Sequence, residues 1–289
     1  MTFIVENVGS SALLQNIVGR EGHAQLGIPH CGAFDRAAAQ QANRLLTNLP
    51  NLYTIETVLG GFTGQTTIPT TIVVTGTNTK ILVRRNNQPG WVLGPVGQPI
   101  YLGAGDRFQL THPTVGIRSY IAIYGGFEPA PNFYTFSSAS YDTLSHLGHP
   151  PIKKGDTFAT KLLPTTPLQH YPYHVSTTPV SSTFRLLPGP HQNLLPTQTQ
   201  RGKVWRVGTQ SNRIGMTLVS SNPVTHNVSV PSEPVTRGTV QLTPDGTLIV
   251  FGPDAPTTGG YPVVGIVHSE DVDRFAQHPP GTPILFQTV

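Results

Sequence analysis

Punctuation limits the folds open to this chain more than any other property. Apolar or alternating runs at 72–75, 81–85, 116–124, 184–187, 204–207, 216–219, 247–251 and 263–268 are each bounded by Gly, Pro, Asn or Asp. Runs of that length, rich in Val, Ile, Thr and aromatic residues, read as strands. With 30 glycines and 28 prolines in 289 residues, the chain is rich in turns and poor in helix surface. Charged residues are only 11%, against about 25% in ordinary globular domains, too few to clothe many helix surfaces. The expected fold is mainly β, with short strands and regular turns arranged as a barrel or sandwich.

Two stretches have helical spacing instead. From Asp35, D-R-A-A-A-Q-Q-A-N-R-L-L-T-N offers an N-cap carboxylate and places Ala38, Ala42, Leu45 and Leu46 on one face. From Ser269, S-E-D-V-D-R-F-A-Q-H starts with acids in its first turn, groups Val272, Phe275 and Ala276, and stops before Pro279-Pro280. Between about 128 and 182 the periodicity fails and Ser, Thr, Pro and His dominate. This predicts two β-rich subdomains with few short helices: 1–182, with a helix near 35–48 and a long connection near 128–182, and a barrel at 183–289. Strand-like segments also open at G-D-R-F, G-D-T-F and P-G-T-P-I-L-F. Three Gly-Gly-aromatic echoes, V-L-G-G-F (58–62), I-Y-G-G-F (123–127) and T-T-G-G-Y (257–261), read as repeated turn chemistry.

Composition removes several classes of function. The net charge of +4 is spread thinly, with Arg84-Arg85 and Lys153-Lys154 as paired bases, so no basic stripe for nucleic acid is expected. No run approaches the roughly 20 apolar residues of a membrane span. The opening M-T-F-I-V-E-N-V-G lacks a secretory pattern. The single cysteine, Cys31, excludes an internal disulfide framework. A cytoplasmic location follows as the expectation. Phosphate-loop, H-E-x-x-H, G-x-S-x-G and C-x-x-C patterns are absent, and none of the 11 histidines has a partner at metal-ligand spacing, so no metal site is expected.

Four stretches remain as carriers of chemistry. G-I-P-H-C-G-A-F-D-R (27–36) delivers His30 and Cys31 just before a helix N-terminus, where exposed N–H groups attract anions. Asp35 reads there as an N-cap before it reads as a catalyst. Q-S-N-R-I-G-M (210–216) places Asn212 and Arg213 in a turn, where an arginine clamps a carboxylate through two parallel hydrogen bonds or simply faces solvent. In G-T-V-Q-L-T-P-D-G (238–246), alternation points Gln241 inward. P-D-A-P-T-T-G-G-Y-P (253–262) sets Asp254, Thr258 and Tyr261 around Gly259 and Gly260. It fits either a turn or a pocket wall.

Taken in order, G-H-A-Q-L-G-I-P-H-C-G-A-F-D-R, A-N-R-L-L-T-N, I-E-T-V-L-G-G, G-I-R-S-Y-I-A-I-Y-G-G, L-P-G-P, S-N-R-I-G-M, G-T-V-Q-L-T-P-D-G and D-A-P-T-T-G-G-Y-P resemble the family of the 5-oxoprolinase C subunit. That family is also called allophanate hydrolase subunit 2, or the biotin-dependent carboxyltransferase family. The resemblance implies a cyclophilin-like β-barrel and an allophanate hydrolase subunit 1-type partner. The resemblance implies also a third subunit, acting with these in ATP-dependent opening of 5-oxoproline to glutamate. It equally implies, as alternatives, carboxyl transfer from carboxybiotin to urea or a related amide, and a regulatory role against a kinase-inhibitor-like subunit. ATP is expected on a partner or at an interface, because no nucleotide loop is present, and biotin only as a carrier on another chain. The isolated chain is expected to be inactive.

Within that resemblance the expected catalytic residues are Asp35, Asp254 and Arg213. Asn212, Thr258, Gly259, Gly260, Tyr261, Cys31 and Gln241 are expected to bind a small amide or lactam, with Asp254, Thr258 and Tyr261 facing the same cleft as Arg213. Three departures stand out. Cys31 replaces the family's serine in P-x-S-G, Pro256 replaces a polar residue, and S-S-A-S (137–140) lacks the arginine of a Ser-Arg-Ser pattern.

Overall fold

The computed structural model describes residues 3–128, 148–160, 181–194 and 203–289. It divides into two compact units, Met1–Gly19 with Asp35–Pro179, and Arg20–Phe34 with Val180–Val289. The short segment before the first helix thus groups with the C-terminal part of the chain. Most of the connection expected near 128–182, including the S-S-A-S stretch, lies outside the described residues.

Among the described residues the first unit holds β1 (Phe3–Val8), β2 (Ser11–Gln15), β3 (Thr54–Val58), β4 (Phe62–Thr66), β5 (Thr70–Thr75), β6 (Ile81–Arg84), β7 (Val92–Gly94), β8 (Ile100–Leu102), β9 (Arg107–Leu110), β10 (Arg118–Ile123), β11 (Phe127–Glu128) and β12 (Thr157–Thr160). They form a sheet of order β11-β12-β1-β4-β9-β6-β7 and another of order β2-β3-β10-β5-β8. Phe3, Phe62, Phe108, Ile55, Val74 and Ile121 share one buried core drawn from both sheets. Phe3 lies 5.8 Å from Phe108 and 5.4 Å from Phe127 between ring centroids, within the range where tilted aromatic pairs attract.

Helix α1 (Arg36–Leu45) packs against β10, β5 and β3. Asp35 caps it as expected, its Oδ1 accepting from Ala38 N–H at 2.9 Å. Its buried residues are Ala38, Ala39, Ala42 and Asn43, so the buried face is made of small side chains and one amide. Thr75 Oγ1 donates to the Ala38 carbonyl at 2.7 Å, joining helix to sheet. Asn43, in the last turn of the helix, donates from Nδ2 to the Leu52 carbonyl at 2.8 Å, and Asn48, after it, donates from Nδ2 to the Ile123 carbonyl at 2.9 Å. The asparagines of A-N-R-L-L-T-N thus tie the chain beyond the helix to backbone carbonyls that would otherwise need other donors.

In the second unit β13 (Thr183–Pro188), β14 (Trp205–Val207), β15 (Gly215–Val219), β17 (Thr239–Leu242), β18 (Leu248–Phe251), β20 (Val263–Val267) and β21 (Pro283–Thr288) close a barrel of order β13-β20-β17-β18-β15-β14-β21. Closure removes unpaired edges. A two-stranded ribbon, β16 (Glu233–Pro234) with β19 (Thr258–Gly259), stands apart from it. Trp205, Phe184, Val240, Leu242, Leu248 and Ile284 fill the barrel core. Helix α2 (Ser269–Phe275) adds Val272 and Phe275, and Phe275 meets Phe184 at 3.8 Å between centroids. The mainly β expectation, with a barrel and few short helices, holds. G-D-R-F, G-D-T-F and P-G-T-P-I-L-F open β9, β12 and β21.

One regularity breaks. Gly60, Gly61, Gly125 and Gly126 all have positive φ, between 74° and 83°, as turn glycines should. Gly259 lies in β19 and neither it nor Gly260 is in that region. The third Gly-Gly-aromatic echo is not the same turn.

Buried titratable groups set the pH response. Asp271 accepts from Arg185 through the backbone N–H at 2.8 Å and through the guanidinium, and from Arg274 at 2.9 Å. Those bonds, Arg185 first, hold its carboxyl far below the usual range. For Asp106, burial opposes ionisation, but Arg85 and the N–H groups of Asn86 and Gly103 outweigh it and lower the pKa. His149 and His278 are lowered by burial. An unfolded histidine titrates near ~6.5 and an unfolded aspartate near ~3.9. As pH falls, the unfolded chain gains histidine protons that the native one refuses, so stability declines from ~6.5 downward. A second loss follows below ~3.9, as pH approaches the depressed carboxylate values. Calorimetry from about pH 8 to about pH 3 should show a plateau and then two descending limbs; substituting His149→Gln and His278→Gln together should flatten only the first.

Candidate functional site

In the second unit, three of the expected residues meet. Arg213, in the turn before β15, donates from Nε to Asp254 Oδ2 at 3.0 Å and from Nη2 to Oδ1 at 2.8 Å. This is the bidentate geometry in which guanidinium and carboxylate match best. The carboxylate that Arg213 clamps is therefore the chain's own. Arg213 Nη2 also donates to the Gly32 carbonyl at 2.6 Å, and Cys31 N–H donates to the Pro253 carbonyl at 2.8 Å. Asp254 N–H returns a bond to the Arg213 carbonyl at 3.1 Å. Residues 31–32, 213 and 253–254 are thereby locked into one knot. Gly252 is needed beside it, since a Cβ there would lie 2.3 Å from the Arg213 carbonyl oxygen.

The knot is closed to solvent: Asp254 and Cys31 are 0% exposed and Arg213 is 5% exposed. Cys31 has φ of 54°, and its thiol hydrogen-bonds the Asp254 carboxylate. Burial, and then the Asp254 charge, pushes that thiol up from 9.0 to about 12. It is thus protonated, and the nucleophilic species is the thiolate. His30 is exposed, with Nδ1 3.3 Å from the Cys31 carbonyl oxygen. Iodoacetamide at about pH 8 should leave Cys31 unlabelled in the native protein and label it after denaturation; rapid native labelling would contradict the buried-thiol assignment.

The other expected residues occupy different surroundings. Asp35 belongs to the first unit, where its backbone N–H donates to Tyr120 Oη at 2.7 Å and its carboxylate caps α1. Asn212 lies at the protein surface, and its Oδ1 accepts from Ile214 N–H at 2.8 Å, shaping the turn that presents Arg213. Thr258, Gly260 and Tyr261 are exposed while Asp254 is fully buried. Gln241 in β17 is 1% exposed, as inward alternation predicts, and its Nε2 has no hydrogen-bond partner. A buried donor left open costs about 1–3 kcal/mol. A Cβ on Gly259 would fall 2.6 Å from Gln241 Nε2, so the glutamine amide fills the space that a side chain on Gly259 would need.

Two residues near Gln241 escaped the sequence reading. His191, in the loop after L-P-G-P, accepts from Val263 N–H at Nδ1 (3.0 Å). That bond leaves Nε2 as the protonated nitrogen of the neutral ring. Nε2 faces Glu233 Oε1 at 3.6 Å. Only the sequence adjacency of His191 to L-P-G-P hinted at it. Among the described residues no group of three or more His, Cys, Asp and Glu is arranged to hold a metal ion, and no helix is long and apolar enough to cross a membrane.

The chain is 30% identical over 272 residues to the 5-oxoprolinase C subunit of Escherichia coli, covering 93% of this chain and 85% of that one. It is 28% identical to the protein of the same name from Haemophilus influenzae, covering 98% and 90%. Urea amidolyase of Lachancea kluyveri is 24% identical over 98% of this chain, which spans 17% of that protein. The solved structure of TTHA0988 superposes with a TM-score of 0.81 at 27% identity, covering 99% of this chain and 55% of that one. The K. lactis urea amidolyase, at 22% identity, shares the fold with a TM-score of 0.86, this chain covering 19% of it. The carboxyltransferase domain, subdomain A and B, matches residues 26–288. The chain belongs to this carboxyltransferase-domain family, the one that contains the 5-oxoprolinase C subunit.

Proposed function

We propose that the chain is the C-type subunit of an ATP-dependent 5-oxoprolinase complex, opening 5-oxoproline to glutamate. The observation that carries this reading is the match to the Escherichia coli 5-oxoprolinase C subunit across 93% of this chain and 85% of that relative. In the net reaction the lactam C–N bond breaks, water supplies oxygen to the new carboxylate, and the freed amine takes up protons. The part assigned to this chain is to bind and orient the lactam. Preorganised donors do that best where water is excluded. The buried pair of Arg213 and Asp254, with the Cys31 thiol, holds residues 31–32, 213 and 253–254 in place, and contact with the lactam is assigned to Gln241, Gly259 and the exposed Thr258 and Tyr261.

ATP would supply the driving force by activating the substrate, and four arginines of the second unit are already committed to carboxylates. Arg185, Arg213, Arg237 and Arg274 are each engaged by a carboxylate of the same unit, and no phosphate-binding glycine loop exists in the sequence. Nucleotide binding is assigned to an allophanate hydrolase subunit 1-type partner or a third subunit. The alternative, carboxyl transfer from carboxybiotin carried on another chain to urea or a related amide, has the family description in its favour.

Reconstitution with the cognate partner subunits separates the two. ATP-dependent glutamate release from 5-oxoproline, without urea carboxylation in the presence of a biotinylated carrier, is the expected outcome. The reverse pattern would transfer the assignment to the carboxyltransferase reading, and loss of both activities with tight partner binding retained would favour a regulatory subunit.

A further inference from the structure

The ribbon of β16 and β19 lies against the one expected binding residue whose donor is open. Glu233 pairs directly opposite Gly259, and residues directly opposite in an antiparallel pair project to the same face. The position of a Gly259 side chain is taken by the Gln241 amide, 2.6 Å from Nε2 and 2.9 Å from Oε1. Glu233 and the Gln241 amide therefore lie on one face of the ribbon. His191 reaches the same place from the barrel wall: Val263, whose N–H it accepts, is the cross-strand partner of Gln241. Nε2 of His191 then meets Glu233 at 3.6 Å.

The ribbon itself is slight. It consists of two pairs of residues, extended by one bond from Val235 N–H to the Thr257 carbonyl at 3.1 Å. Ser232, Pro234, Thr258, Gly260 and Tyr261 lie at the surface. So short a ladder, anchored at one end by Val235 against Phe251 and Ala255, opens locally more readily than a barrel strand. Beneath it sits Gln241, 1% exposed, with Nε2 lacking any acceptor.

We propose that the β16–β19 ribbon is a lid, latched by the Glu233 and His191 contact, over a binding site in which Gln241 Nε2 donates to the carbonyl or carboxylate oxygen of a small amide. With the lid lifted, a ligand oxygen takes the donor that is open in the closed state. Gly259 lets the ribbon close over the glutamine amide, which stands where a side chain at that position would lie. The choice of amide rests on the 5-oxoprolinase reading; the lid and its latch do not.

Hydrogen exchange read by mass spectrometry on the full chain tests this. Glu233→Gln should speed exchange of 231–235 and 257–261 about threefold, the size expected for one half-exposed contact to a carboxylate. Gly259→Ala, which props the ribbon away from Gln241, should speed it about tenfold while leaving the protection of the barrel strands unchanged. Addition of 5-oxoproline should slow the same peptides in the wild type and have no effect in Gln241→Leu, a variant of similar volume that keeps the lid closed. Protection by urea but not by 5-oxoproline would uphold the lid and remove the 5-oxoprolinase reading. Wild-type exchange unaltered by both ligands, or by Glu233→Gln, would overturn the proposal.

Discussion

Arg213→Ala is expected to destabilise the barrel unit by about 3–5 kcal/mol, the usual result of removing one partner of a buried ion pair. Asp254 is 0% exposed. Without Arg213 its carboxylate loses both guanidinium bonds, and the Gly32 carbonyl loses a donor at 2.6 Å. A fall in the melting temperature of about 10 °C or more follows for a domain of this size. Replacing the pair together, Arg213→Met with Asp254→Leu, should recover at least half of the loss, because neither charge of the pair is then left buried without the other. An unchanged melting temperature in Arg213→Ala would contradict the knot. The consequence for function is direct: lost turnover in Arg213→Ala does not identify a substrate contact, because the fold of the site is lost with it.

A second large loss is expected in the first unit. Tyr120 Oη donates to Glu56 Oε2 at 2.8 Å while accepting from the Asp35 N–H, and Arg118 Nε stands 3.8 Å from Glu56 Oε1. Glu56 is 1% exposed and Arg118 4% exposed. Burial, then the charges of Glu56 and Asp35, raises the Tyr120 pKa well above its ordinary value, so the phenol stays a donor. Glu56→Ala removes the buried anion from both neighbours and should cost about 3–5 kcal/mol. Tyr120→Phe should cost about 1–3 kcal/mol, because it leaves polar groups buried without their bonds. Both should accelerate amide exchange at the start of α1, whose cap residue the network holds. Equal stability of Glu56→Ala and the wild type would show that the ion pair contributes nothing.

These two networks explain what the sequence could and could not tell. Strands β5, β6, β10, β15, β18 and β20 are readable because their alternation and β-branched content are local properties. Both helices are readable from cap and spacing. Strand β3 is disguised by Glu56, whose partner Arg118 is distant in the chain. Strand β4, F-T-G-Q-T, is disguised by Gly64, needed because a Cβ there would strike the Phe3 ring at 2.3 Å. In the candidate site, the pairing of Arg213 with Asp254 and Gly32 spans 41 and 181 positions. An inward Gln241 follows from period two, but the open donor and the Gly259 that fits over it are tertiary facts. The T-T-G-G-Y stretch reads as a turn or a pocket wall. It is the strand of a surface ribbon, and its glycine serves close approach and not positive φ.

If this chain does the work of a 5-oxoprolinase C subunit, it should substitute for one. Replacing the C subunit of an otherwise complete Escherichia coli 5-oxoprolinase with this chain, and measuring ATP-dependent glutamate formation from 5-oxoproline, puts that to the test. The hybrid should assemble and restore turnover well above that of the complex without any C subunit. A hybrid that assembles and hydrolyses no 5-oxoproline would contradict the assignment.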